Sequence, residues 1–292
     1  MKKTFLLLTT GFIFLFASSQ DEFDPATTIG LFAGAMNYQG DLKPNSFTLQ
    51  HSNLVLSLNI RKPLNRWVSL KTGVLIGKVE AADKYNREDL KFRNLSFASG
   101  IKEVYGVIEV DFLDITTKKF TPYIYGGGAA FHFNSYADYE GEKVYLKPLS
   151  TEGQGLPDYP DWKEYKLTQF TLAFGGGLRF AVSNCTSLSL EFSQRKTFTD
   201  YLDDVSTNYI DQNKLLAAKG QRAVDVAYRT DEFNGSPYPP DGEQRGTPTE
   251  ADWYYFVGIN AEIKLNCLKN KFSGLMKQSG RSPRYTKCPK FF

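Results

Sequence analysis

Beyond a short apolar leader, this 292-residue sequence contains no run of about 18 consecutive apolar residues. A chain crossing a bilayer with helices is thereby excluded. Histidine is almost absent, with only His51 and His132, so hydrolases that pair a nucleophile with an imidazole base have little to draw on. Three cysteines permit at most one disulfide with one thiol left over, and they suit an exported protein in an oxidising space. Neither sign of charge dominates: 35 Lys and Arg stand against 32 Asp and Glu. A chain that neutralises nucleic-acid phosphates is therefore not expected, and no segment suggests a cofactor.

What the sequence does contain is alternation. Eight stretches alternate apolar and polar residues with a period of two, separated by three very short gaps and four long ones. Such stretches suit strands with lipid on one face and a packed lumen on the other. The expected fold is all-β: an eight-stranded antiparallel transmembrane β-barrel in the outer membrane, with short periplasmic turns, long outer loops and both termini in the periplasm. Closure into a barrel is the one non-helical way to cross a bilayer with every backbone group paired. Aromatics at 15% and 24 glycines fit interface girdles and tightly curved strands.

The leader agrees with this reading. Lys2 and Lys3 precede an apolar segment ending at Ala17-Ser18-Ser19, so residues 1–19 are expected to be a cleaved signal peptide. Residues 20–266 would form the barrel and residues 267–292 a periplasmic tail. No cysteine lies near the cleavage position, and a lipoprotein anchor is not expected.

The faces can be assigned strand by strand. Leu54, Leu56, Leu58 and Ile60 point to lipid while Val55, Ser57, Asn59 and Arg61 point inward. The same logic sets Val68, Leu70, Val74 and Ile76 against Ser69 and Lys71, and Val104, Ile108 and Val110 against Glu103, Glu109 and Asp111. In the fifth stretch it sets Tyr123, Tyr125, Phe131 and Phe133 against Gly126, Gly128 and His132, placing His132 in the lumen. Short turns are expected at Asn65-Arg66, Thr116-Thr117-Lys118-Lys119 and Ser183-Asn184-Cys185. Outer loops cover about 38–53, 81–100, 138–167 and 207–253, the last with a short helix near 211–226.

Collected together, the inward charges are Arg61, Lys71, Arg179, Arg195 and Lys264 against Glu103, Glu109, Asp111, Glu191 and Glu262. Eight strands leave a lumen just wide enough for side chains, and buried charges are tolerated when paired. A closed, salt-bridged interior is expected rather than a water channel. The loop carboxylates Asp200, Asp203 and Asp204 lack the spaced oxygen ligands of a calcium loop, so a capped or salt-bridged loop is the better reading. Gly126-Gly127-Gly128 and Gly175-Gly176-Gly177 lie inside strands and are not phosphate loops.

Several segments carry a resemblance. Tyr38-Gln39-Gly40-Asp41-Leu42, Phe92-Arg93-Asn94-Leu95-Ser96-Phe97, the run from Leu146 through Glu152 and Gln154 to Gly155, the run RKTFTDYLDDVS from Arg195 to Ser206, and Arg245-Gly246 with Asp252-Trp253-Tyr254 are together similar to the PorG-like small outer-membrane barrels of Bacteroidota. That resemblance covers about residues 27–265. It implies a part in the type IX (Por) protein secretion system, which supports gliding motility in some species. It further implies a periplasmic ring of the lipoprotein PorK and its companion PorN as the partner, with outer-membrane lipid around the barrel.

The loop motifs also have a physical reading. Arg93, Arg195 and Arg245 could each pair with Glu152, Asp200, Asp203 or Asp204 and fold a lid over the outer mouth, or the same motifs could meet cargo. Beyond the last strand, Lys269, Lys271, Lys277, Arg281, Arg284, Lys287 and Lys290 put seven positive charges in residues 267–292 with no acidic residue. Such a run is either a solvated tail or an arm steered to an acidic partner or surface. Cys185 and Cys267 both fall at the periplasmic rim and are the favoured disulfide; Cys267–Cys288 is the rival pairing. Against the secretion role stand a surface-binding barrel that contacts ligand or host and, third, a lipid-modifying barrel enzyme.

Overall fold

A computed structural model describes residues 26–43, 52–85, 88–115 and 118–269. The expected signal peptide, His51, Thr116 and Thr117, and the tail from Lys271 to Lys290 with Cys288 lie outside the described residues. Ten strands are present among those described: β1 (Thr28–Gln39), β2 (Asn53–Pro63), β3 (Val68–Ala82), β4 (Ser96–Asp111), β5 (Phe120–His132), β6 (Ser135–Tyr139), β7 (Glu142–Tyr145), β8 (Thr168–Ala181), β9 (Thr186–Thr197) and β10 (Trp253–Lys264). Eight of them close on themselves in the order β3-β2-β1-β10-β9-β8-β5-β4, with β4 returning to β3. Every neighbouring pair is antiparallel. The fold is a closed eight-stranded barrel of the outer-membrane type. β6 and β7 form a hairpin that continues the sheet above the long-loop rim through β4.

Alternation explains both faces. On β2, Leu54, Leu56, Leu58 and Ile60 are exposed, while Val55, Ser57, Asn59 and Arg61 are buried. With Leu31, Val74, Ile76, Val104, Ile108, Ile124, Phe170, Leu190 and Ile259 also exposed, the barrel wears an apolar belt. Water would penalise so large a patch, and lipid is its natural solvent. No helix among the described residues is long and apolar enough to cross a membrane.

The short turns follow from local side-chain chemistry. The Asn65 side-chain oxygen accepts from the N–H groups of Trp67 and Val68 at 2.8 Å each. Ser183 Oγ accepts from Cys185 and Thr186 N–H groups. Asn and Ser favour such turns because the side chain substitutes for a backbone acceptor. At the other rim β3 and β4 run on together to the Ala82–Ser96 pair, so the second outer loop is shorter than the 81–100 segment expected. It holds the short helix α1 (Glu88–Lys91). The fourth long loop carries α2 (Gln212–Lys219), α3 (Gln221–Ala227) and α4 (Asp231–Asn234). Asp211 caps α2 by accepting from Lys214 N–H at 2.9 Å. Gly220, at φ +84°, breaks the expected helix into α2 and α3.

One face assignment is overturned. Tyr123, Tyr125, Phe131 and Phe133 are buried in the lumen, whereas His132 is exposed on the outside, where its Nδ1 lies 3.0 Å from Thr168 Oγ1. Treating aromatics as lipid-facing inverted this strand. The lumen needs volume, and tyrosine supplies it together with a hydroxyl for the charges.

Crowding sets the glycines apart. A Cβ on Gly258 would stand 2.3 Å from the Ala33 carbonyl oxygen and 2.5 Å from Gly34 Cα, while one on Gly106 would meet nothing within 4 Å. Gly258→Val is therefore expected to abolish the heat-modifiable folded band in gel electrophoresis, and Gly106→Ala to leave it intact.

Candidate functional site

Charge fills the barrel in tiers. Nearest the short turns, Arg61 contacts Glu109 at 2.6 Å and Asp111 at 2.5 Å. Arg179 meets the same two carboxylates at 2.5 and 2.6 Å and reaches Glu262 at 3.6 Å. Asn59 donates to Asn260, which donates to Glu262. In the middle tier, Lys71 pairs with Glu191 at 2.7 Å, and the hydroxyls of Tyr123 and Tyr125 donate to the same carboxylate. In the upper tier, Arg195 pairs with Glu103 at 2.9 Å, and Tyr254 donates to Glu103. Lys264 lies at the short-turn rim, half-buried.

These tiers seal the lumen. Between the middle and upper tiers there remains a cavity of about 10 Å³ bordered by Lys71, Tyr105, Glu191 and Arg195, room for about one water molecule. Below the lowest tier the barrel opens into a vestibule of about 540 Å³ lined by Arg61, Arg66, Arg179, Glu262 and Lys264. Cys185 lies on its wall and is disulfide-bonded to Cys267, with the Cα atoms 5.9 Å apart. Lys269, the one tail cation among the described residues, is exposed.

The long-loop mouth is covered by interlocked loops. Glu152 is fully buried; its carboxylate accepts from the N–H groups of Ser206 and Thr207, from Thr207 Oγ1 and from Arg245 at 2.8 Å. Gln154 accepts from Glu152 N–H, and Arg245 also donates to the Asp204 carbonyl. Arg93 forks onto Asp83 with two bonds of 2.8 Å and donates to the carbonyls of Arg245 and Asp41. Asn94, at φ 57°, donates to Glu232 at 3.1 Å; asparagine tolerates this left-handed backbone. Asp204 accepts from Thr151 at 2.6 Å and Tyr165 at 2.8 Å, and burial pushes its carboxyl up to about 6. Burial likewise pushes Asp200 up to about 8. Asp203 accepts from the Tyr38 hydroxyl and from the N–H groups of Leu42 and Val205.

The expected lid pairing is thus corrected in two of three cases. Arg245 takes Glu152, but Arg93 takes Asp83, and Arg195 stays in the lumen on Glu103. Arg195 belongs to β9, whose alternation directs it inward below the loops. Asp200, Asp203 and Asp204 make no ion pair among the described residues; hydroxyls and backbone N–H groups serve Asp203 and Asp204 instead. The helical part of the lid has its own small core of Leu156, Ile210, Leu215, Ala223, Val224 and Ala227. An aromatic column of Phe131, Phe133, Tyr165 and Tyr201 ties the lid to the lumen.

Several members were not singled out from sequence. Asp83 lies in a loop with no patterned signal. Tyr38, Asp41 and Asp252 sit inside the quoted motif segments, which marks those segments as structural cement. His132 faces outward, and Ser135 is buried donating to the Leu202 carbonyl, so the two do not form a nucleophile–base pair. Among the described residues no group of three or more His, Cys, Asp or Glu is placed to hold a metal.

Arg179→Met is expected to leave Glu109 and Asp111 short of a buried cation, costing about 3–5 kcal/mol in urea unfolding from lipid vesicles. Arg245→Met should leave the barrel folded but speed protease nicking of the fourth outer loop in intact cells.

No curated protein matches this chain. Among solved structures it is similar to Neisserial surface protein A at 8% identity and a TM-score of 0.40, covering 84% of this chain and 100% of that one. Ail of Yersinia pestis matches at 9% identity and 0.37, covering 83% and 100%; OprG of Pseudomonas aeruginosa matches at 8% and 0.36, covering 82% and 97%. The profile of a family described as a domain of unknown function, DUF6089, matches residues 5–219, and the chain belongs to that family.

Proposed function

We propose that this protein is a non-catalytic outer-membrane barrel of the type IX secretion system, anchoring the periplasmic PorK and PorN ring to the outer membrane. The observation that carries the anchoring role is the sealed lumen. With its buried charges paired in three tiers and its mouth lidded, the barrel forms neither an open conduit nor a nucleophile–histidine pair among the described residues. What remains to it is to be held in the bilayer and to be held by something else. The secretion assignment itself rests on the PorG-like motif segments. In this reading both termini are periplasmic, and the vestibule and the disulfide lie together on the partner-facing end.

A surface-binding role is the second reading. A groove of about 910 Å³ on the long-loop side, bordered by Arg93, Tyr209, Tyr228, Tyr238 and Arg245, favours it. Affinity purification from native membranes separates the two. With the secretion role, PorK and PorN co-elute with the full chain, and deleting residues 268–292 lowers their recovery while the heat-modifiable barrel persists. Full recovery of the ring without the tail refutes docking through the tail. Absence of the ring from the full-chain eluate, together with unchanged export in a gene deletion, refutes the secretion role.

A further inference from the structure

Three side chains at the mouth of the barrel cannot all hold their ordinary protonation states. Tyr38, at the outer end of β1, is fully buried, and its hydroxyl oxygen lies 2.5 Å from Asp203 Oδ2 and 2.7 Å from Asp252 Oδ1. Both aspartates are also buried. A phenol has one proton and can donate to one carboxylate. If both carboxylates were ionised, the other contact would press lone pair against lone pair at hydrogen-bond distance. One carboxyl must carry a proton.

The remaining partners say which. Asp203 faces three donors: the Tyr38 hydroxyl and Leu42 N–H at Oδ2, and Val205 N–H at Oδ1. It is built to be an acceptor on both oxygens. Asp252 Oδ2 accepts from Leu202 N–H at 2.8 Å, whereas among the described residues its Oδ1 has Tyr38 alone. The proton therefore sits on Asp252 Oδ1 and is donated to Tyr38, whose own proton goes to Asp203.

We infer that Tyr38, Asp203 and Asp252 form a one-proton site that locks the lid to the barrel mouth, and that losing this proton in alkali releases the lid. Three segments converge there: the end of β1, the 199–206 stretch after β9, and the start of β10. Gly40 packs directly over the contact, since a Cβ there would lie 2.0 Å from the Tyr38 hydroxyl and 2.1 Å from Asp252 Oδ1. The Asp252 carbonyl also accepts from Thr197 N–H and its own N–H donates to the Thr199 carbonyl, so movement at Asp252 is felt on both sides of the loop.

The surroundings favour the protonated state. The charged groups facing the trio are Asp41 from the first outer loop, Arg93 from the second and Asp200 beside Asp203. Arg93 is committed to Asp83. Burial, then Asp203 and Asp200, hold the Asp252 carboxyl well above the ordinary carboxylate range, while Asp203, raised by burial and Asp41, is drawn back down by its hydrogen bonds from Tyr38 and Val205. The sign follows from linkage: a carboxyl whose affinity for protons is raised in the closed state favours closure at low pH and loses that contribution as pH rises.

The test is hydrogen-exchange protection of residues 199–252, corrected for intrinsic rates, on the full chain in nanodiscs between pH 5 and pH 10. In the native protein protection should fall with rising pH, by up to about tenfold per unit where the proton leaves. Asp252→Asn places an NH₂ where the acid proton was and a carbonyl opposite Leu202 N–H, so it should keep the lid protected with a pH profile shallower than the native one, the slope left over belonging to Asp200 and Asp204. Asp203→Asn sets an NH₂ against a donor and should lose protection at every pH. An infrared difference spectrum at neutral pH, native minus Asp252→Asn, should show the carbonyl band of a protonated carboxylic acid. A flat native profile overturns the inference without any variant. So does an Asp252→Asn lid as pH-sensitive as the native one, or the absence of the acid band.

Discussion

The pairing of buried charge inside a narrow barrel is the constraint on which the rest of this structure depends. Eight strands enclose too little space for water to solvate ionised side chains, yet four Arg or Lys and five Glu or Asp of the core tiers sit almost wholly out of solvent. Each is tolerated because an opposite charge from a strand across the lumen meets it. Arg61 on β2 and Arg179 on β8 share Glu109 and Asp111 on β4. Lys71 on β3 reaches Glu191 on β9, and Arg195 on β9 reaches Glu103 on β4. These contacts join strands that are not hydrogen-bonded neighbours, so they brace the cross-section as well as fill it. They also commit the charged groups of the tiers to one another across the lumen.

The two ends differ in kind. On the long-loop side polar groups continue upward from the lumen into a lid, through the aromatic column and the carboxylates of Glu152, Asp203 and Asp204. Most of those carboxylates are met by hydroxyls and backbone N–H groups. Such bonds demand a particular loop path, since each N–H belongs to one position in the chain. On the short-turn side the barrel is open and stapled by the Cys185–Cys267 disulfide. Order at one end and openness at the other follow from where the loops carry acceptors.

The barrel was legible in the sequence because alternation is a local signal that tertiary context rarely overrides when lipid faces one side. The inward set from Arg61 to Glu262 could be read by parity alone. Parity failed on β5, where Tyr123 and Phe131 were apolar enough for lipid but were needed to fill the lumen, and His132 was turned out in exchange. Partner choice was not legible. Nothing in the spacing of Arg93 and Asp83 says that they meet, and the proton held at Asp252 arises from the approach of β1, β10 and a loop far apart in sequence. Helix α2 could be expected from composition, whereas its break at Gly220 needed the backbone angle.

The disulfide has a mechanical consequence. A pull on the chain beyond Cys267 would otherwise act on the end of β10 alone and could peel that strand from β1 and β9 one bond pair at a time. With Cys267 joined to Cys185, at the turn between β8 and β9, tension divides between two places on the wall. The hairpin and β10 must then yield together, by shear along whole ladders. A barrel stapled at that point can bear load transmitted through its tail without unzipping from its last strand.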